Sequence, residues 1–211
     1  MPANVLSSDE LAQGFRLLFD GTSTNGWRGY RLPTMPAGWR AVNGALMRVS
    51  QTSDIITVDE FENFELRLSW RIPPGGNSGI MYHVTEEGAA VYTSGPEMQV
   101  LDDSGHADGR SRLTSAGSAY GLYAAPAGVV RRAGQWNDIR LIIRGPLVEH
   151  WMNGVKVVEY ELWSDEWTHK VQASKFVQWP EYGLARRGHI ALQGDHDGAV
   201  SYRSIRIRML P

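Results

Sequence analysis

Nine residues, Phe64 to Ile72, alternate without a break. Phe64, Leu66, Leu68, Trp70 and Ile72 fall on one face of an extended chain, and Glu65, Arg67, Ser69 and Arg71 on the other. That is a strand with one buried and one polar face, and Pro73-Pro74-Gly75-Gly76 ends it. Asn43-Gly44 lies between Trp39–Val42 and Ala45–Arg48, and Asn153-Gly154 between Val148–Trp151 and Val155–Tyr160. Asn-Gly between two such runs is the strongest short-range hairpin signal. Further strands are predicted at 17–19, 55–58, 80–84, 97–101, 119–124, 136–144, 189–193 and 200–209. Helix is scarce. Ser7-Ser8-Asp9-Glu10 has the capping-box pattern, and Ser164-Asp165-Glu166 starts a helix with Trp167 and Val171 on one face. About a dozen short strands with one or two short helices predict an all-β sandwich or jelly roll of antiparallel sheets. No repeat or linker divides the chain, so one domain spans 1–211, with 1–14 an extension and a core of about 15–209.

Composition narrows the function. A net charge of −2 with 21% charged residues offers no nucleic-acid surface. No run of 18 apolar residues occurs, so no membrane-spanning helix is predicted, and Met1-Pro2-Ala3-Asn4-Val5 is not a signal peptide. The absence of cysteine excludes disulfides, thiolate nucleophiles and Cys-based metal sites. There is no phosphate loop, nucleophile elbow, zincin helix or dinucleotide fingerprint, and no cofactor or metal is expected. Asp195-His196-Asp197 could offer ligands to a cation, but three adjacent residues rarely converge on one ion. Eight Trp and eight Tyr supply rings for a β-rich core, and a few of them are expected to form a platform for sugar.

The chemistry-bearing stretch is Gly75-Gly76-Asn77-Ser78-Gly79-Ile80-Met81-Tyr82-His83, followed by Gly95-Pro96-Glu97-Met98-Gln99-Val100-Leu101-Asp102-Asp103. Glu97 and Gln99 share a strand face. Asp102 joins them if one β-bulge intervenes. A face with such groups should line a cleft, because burying unpaired carboxylates is costly. Asn77 and Ser78 read either as turn residues or as site residues, and alternation puts one of Tyr82 and His83 in the cleft. The polar loop from Asp102 to Ser118 is too long for a plain connector, and its His106, Asp108, Arg110 and Arg112 are placed to rim a site.

Gly75-Gly76-Asn77-Ser78-Gly79-Ile80, Glu97-Met98-Gln99-Val100-Leu101-Asp102, Gln135-Trp136-Asn137, Asn153-Gly154-Val155 and Leu192-Gln193…Tyr202-Arg203-Ser204-Ile205 together resemble the 3-keto-disaccharide hydrolase family, in order, from about Phe15 to Met209. The resemblance implies a concanavalin A-like jelly roll with one substrate-bearing sheet, a small carbohydrate as partner, and cleavage of 3-keto-glycosides. It matches His196 to a family histidine. It also implies a periplasmic or secreted enzyme whose leader is not in this chain; the residues themselves leave a cytoplasmic location open and do not speak to oligomeric state. On this reading Glu97 and His196 move protons, while Asn77, Ser78, Tyr82, His83, Gln99, Asp102 and Gln193 meet substrate. Replacing Glu97 by Gln should then cost turnover and leave the melting temperature nearly unchanged.

Two other readings stand beside it. Glu97-x-Gln99-x-x-Asp102 parallels, in spacing only, the Glu-x-Asp-x-x-Glu bulged strand of laminarinase-like jelly rolls, so a two-carboxylate glycosidase is one alternative. A non-catalytic sugar-binding module is the other, since the fold alone does not give function.

Overall fold

The computed structural model describes residues 3–196 and 198–211. Two antiparallel sheets face one another. The larger has eight strands, in the order β11 (Val155–Glu161), β10 (Leu147–Met152), β9 (Asn137–Arg144), β6 (Phe64–Arg71), β13 (Ser201–Met209), β4 (Ala45–Arg48) and β3 (Trp39–Val42), with β1 (Arg16–Leu17) also paired to β13. The smaller runs β2 (Trp27–Gly29), β5 (Ile55–Thr57), β12 (His189–Leu192), β7 (Asn77–Val84) and β8 (Glu97–Leu101). This is the jelly-roll sandwich that the strand pattern predicts. The two helices are short: α1 (Ser8–Ala12), closed by a capping box from Ser7 and Glu10, and α2 (Asp165–Gln172), capped by Ser164 with Trp167 buried. No helix among the described residues is long and apolar enough to cross a membrane.

The core follows from alternation. Phe64, Leu66, Leu68 and Trp70 of β6 are buried against Leu141 and Ile143 of β9, Ile205 and Ile207 of β13, and Ile80, Met98, Val100 and Leu192 from the smaller sheet. Both Asn-Gly pairs sit at hairpin tips with left-handed backbones, φ 49° and 74° at Asn43-Gly44 and 50° and 84° at Asn153-Gly154. Those φ values are what a type I′ turn needs. On the outer face of the larger sheet Glu65 is buried despite its charge, because Arg67, Arg140 and Arg208 all bond to it.

Two local expectations are corrected. The β7–β8 register runs unbroken from Asn77↔Leu101 to Met81↔Glu97, so no bulge brings Asp102 round to the face of Glu97. A register shift lies instead where β7 meets β12, between His189 and Ala191, and His83 there has φ 52°. Residues 119–124 form turns and isolated bridges rather than a strand.

Candidate active site

Alternation along β7 and β8 sends Ser78, Ile80, Met98 and Val100 toward the sandwich interior and leaves Asn77, Gly79, Glu97 and Gln99 on the face turned away from it. A cleft of about 290 Å³ opens over that face, lined by these polar side chains and by Tyr92, Asp108, Tyr120, Lys175, Phe176, Trp179, Gln193, Asp195 and His196. The β-sheet supplies the floor, and residues from loops and short 3-10 turns supply the walls.

Gly79 explains the glycine in its motif. A Cβ there would stand 2.0 Å from Glu97 Oε1, so only a bare backbone lets the carboxyl fold over β7. Glu97 is 9% exposed and, among the described residues, has neither a side-chain hydrogen bond nor an ion pair. Burial pushes its carboxyl up to about 8; Lys175 pulls the other way, and Asp54, Asp195 and Asp108 add to the rise. Around it are polar atoms without partners. Asn77 Oδ1 and Gln193 Oε1 are buried and accept no hydrogen bond among the described residues. Gln99 takes the Val100 N–H on its carbonyl oxygen at 3.1 Å, which leaves its amide N–H groups for a ligand. Orphaned buried amides in a cleft mark a place for a ligand rich in hydroxyls.

The wall opposite is aromatic. Tyr92 and Trp179 have ring centroids 5.3 Å apart, and Phe176 and Trp179 5.9 Å. The Lys175 ammonium lies 4.5 Å from the Tyr120 ring centroid, and the Tyr120 hydroxyl donates to Asp108 at 3.1 Å.

His196 sits on the loop after β12, with Nε2 3.7 Å from Asp195 Oδ1. That loop is held by its main chain. Asp54 takes the Gly194 N–H at 2.8 Å, and the buried Arg48 donates to Gly194 O and Gly198 O, each at 3.0 Å. Burial, in part offset by the Gly194 N–H, pushes the Asp54 carboxyl up to about 6. Asp197 lies outside the described residues.

Of the residues the sequence nominates, Glu97, Gln99, Asn77, Gln193 and His196 come together in the cleft, with Asp108 from the long loop. Four do not. Ser78 faces inward, donating to Gln193 O at 2.7 Å and sharing a hydrogen bond with the Tyr202 hydroxyl; it fixes Gln193 from below. Tyr82 is fully buried and bonds the Tyr160 hydroxyl. His83 packs edge-on to Phe64 with Nε2 bonded to Glu62 O at 2.8 Å, because the bulge carries it to the core side beside Tyr82. Asp102 ties the turn, accepting from Gly75 N at 2.8 Å and from Ser104 Oγ at 2.7 Å. Burial acts to raise its carboxyl, but those bonds outweigh it and hold the group below the usual range. Lys175, Tyr92, Phe176, Trp179 and Tyr120 are not nominated by the sequence; only the surplus of aromatic residues hints at some of them.

Residues 14–208 match the profile of the 3-keto-alpha-glucoside-1,2-lyase-like domain. The chain belongs to this family. With it comes membership of a class of carbohydrate-active, glycosidic-bond-cleaving enzymes. A 3-keto-disaccharide hydrolase of Bacteroides thetaiotaomicron is 33% identical over 94% of this chain and 79% of its own. A provisionally assigned glycosyl hydrolase from Parabacteroides distasonis superposes over the full length of both chains, at 30% identity and a TM-score of 0.92. The carbohydrate-binding module CBM66 of Bacillus subtilis shares the fold alone, at 10% identity and a TM-score of 0.55, covering 86% of this chain and 94% of its own.

Proposed function

We propose that this chain hydrolyses 3-keto-glycosides, with Glu97 removing the proton at C2 and His196 protonating the departing oxygen. The ketone at C3 acidifies C2–H. Glu97 takes that proton, the C–H electron pair forms C2=C3, and the carbonyl pair moves to oxygen as an enolate. The enolate collapses, C3=O re-forms, C1=C2 forms, and the C1–O bond breaks as its oxygen collects a proton. Water then adds its hydroxyl to C1 and a proton to C2. Asn77, Gln99 and Gln193 hold sugar hydroxyls, and Trp179 with Tyr92 offers the ring face.

The observation that carries this reading is the Glu97 carboxyl, shielded, unpaired and raised in pKa beside unpartnered amides. A carboxylate with such proton affinity suits abstraction from carbon better than an ordinary one does. The family description names a 1,2-lyase, which is an elimination across C1 and C2, and the Bacteroides relative is named for a 3-keto-disaccharide. The two-carboxylate alternative loses its intended partner, since Asp102 is committed to Gly75 and Ser104.

The test is a panel of 3-keto-glycosides and their unoxidised parents in D₂O, with aglycone release followed by NMR. Release from the oxidised members alone, with deuterium at C2 of the product, is expected. Protium at C2, or equal activity on the parents, would sink the elimination route.

A further inference from the structure

Resting on that reaction, we propose that the Lys175 ammonium is the group that binds the C3 oxygen and stabilises the enolate, and so makes the site select a ketone over an alcohol. Three observations place it. Lys175 begins the 3-10 turn Lys175–Gln178, whose backbone is fixed by Ser174 Oγ, which accepts the Phe176 N–H at 3.1 Å and donates to Val171 O at 2.8 Å. Its Nζ is seated over two rings, 4.5 Å from the Tyr120 centroid and 5.4 Å from that of Phe176, and it lines the same cleft as Glu97. Finally, its charge is not spent on a carboxylate. The chain has three lysines; Lys156 pairs with Glu159 and Lys170 with Glu166, while Lys175 has no ion pair among the described residues.

The chemistry needs such a group. C2 and C3 are bonded neighbours, so a base at C2–H and a donor at the C3 oxygen must come from neighbouring side chains. Glu97 and Lys175 line the same cleft, and Lys175 is the cation whose field acts on the Glu97 carboxyl. When Glu97 takes the C2 proton, negative charge leaves the carboxylate and appears on the C3 oxygen. A fixed ammonium beside that oxygen stabilises the charge where it arrives. An alcohol at C3 develops no such charge, so Lys175 contributes nothing to its turnover. Among the described residues, no other group of the cleft walls carries a permanent positive charge.

The experiment compares wild type, Lys175→Met and Lys175→Arg on 4-nitrophenyl 3-keto-glucoside, with and without deuterium at C2. Lys175→Met is expected to lower kcat about 10²-fold, the usual worth of one such donor. It should also enlarge the C2 deuterium isotope effect and move the rising limb of kcat/KM to higher pH, because Glu97 loses its neighbouring cation. Lys175→Arg should stay within about tenfold of wild type. Lys175 is an exposed residue, so folding is not at risk. A raised KM with unchanged kcat and isotope effect would make Lys175 a rim residue and overturn the proposal while the reaction stands. A wild type inactive on every 3-keto-glycoside overturns the reaction itself, and this inference with it.

Discussion

Replacing Glu97 by Gln should make the protein more stable and less active, and the gain in stability should grow with pH. The carboxyl has an ordinary value of 4.5 and is pushed to about 8 by burial in the folded chain. Since the folded state holds the proton more tightly, this group favours folding fully below pH 4.5, and that contribution is lost as pH rises to about 8. At about 1.4 kcal/mol per pH unit, holding the buried group protonated while the unfolded chain ionises costs about 3 kcal/mol of stability at pH 7. The cost is below about 1 kcal/mol at pH 5. Glutamine has nearly the same volume and no charge to bury, so the variant escapes this cost. For a chain of this length about 3 kcal/mol corresponds to roughly 6–12 °C in Tm. Turnover should fall by roughly 10²–10⁴, the usual worth of a positioned acid or base. Thermal melts at pH 5, 7 and 8.5, beside kcat on the best 3-keto-glycoside, decide the matter. A Tm difference that does not change with pH, or a variant less stable at every pH, would refute the picture of an unpaired shielded carboxyl. The sequence alone suggests a near-constant melting temperature, and the melts decide between the two, because burial without a partner is visible only in the folded chain.

Three further outcomes follow from the geometry. If Glu97 is the base, kcat/KM rises with pH along a limb centred near 8; a fall through the same range assigns it as the acid instead. Arg48→Met removes the donors to Gly194 O and Gly198 O, so turnover should drop roughly 10–10²-fold as His196 drifts, with KM for the sugar changed far less. Tyr82→Phe leaves the Tyr160 hydroxyl buried without its partner; it should cost about 1–3 kcal/mol in urea-melt stability and leave kcat/KM at wild type, whereas a kinetic defect would return Tyr82 to the site.

What the chain discloses to inspection depends on the distance over which each feature is decided. The alternation of Phe64–Ile72 and the Asn-Gly tips are set within a few residues, so the strands and hairpins are legible. Period two likewise places Glu97 beside Gln99. Asp102 misleads because a bulge is invisible locally; its carboxylate finds Gly75, twenty-seven positions away, and stays there. Tyr82 follows Ser78 and Ile80 into the core by plain alternation, and only His83 misleads through an irregularity, one that arises from pairing with β12. Lys175 and Trp179 reach the cleft from the segment after α2, which no strand pattern ties to β8. The family resemblance supplies His196, where spacing alone is silent.

Arg48 and Asp54 grip the loop after β12 by its carbonyls and an N–H, at Gly194 and Gly198. Among the described residues, nothing in that grip reads a side chain between those two glycines. The corner bearing His196 is therefore a socket: a library randomised at Asp195, with His196 kept, leaves its own frame intact. On the proposed reaction it is the natural address for retuning which leaving group departs, since diversity is introduced beside the proposed proton donor while the sheet that carries Glu97 stays untouched.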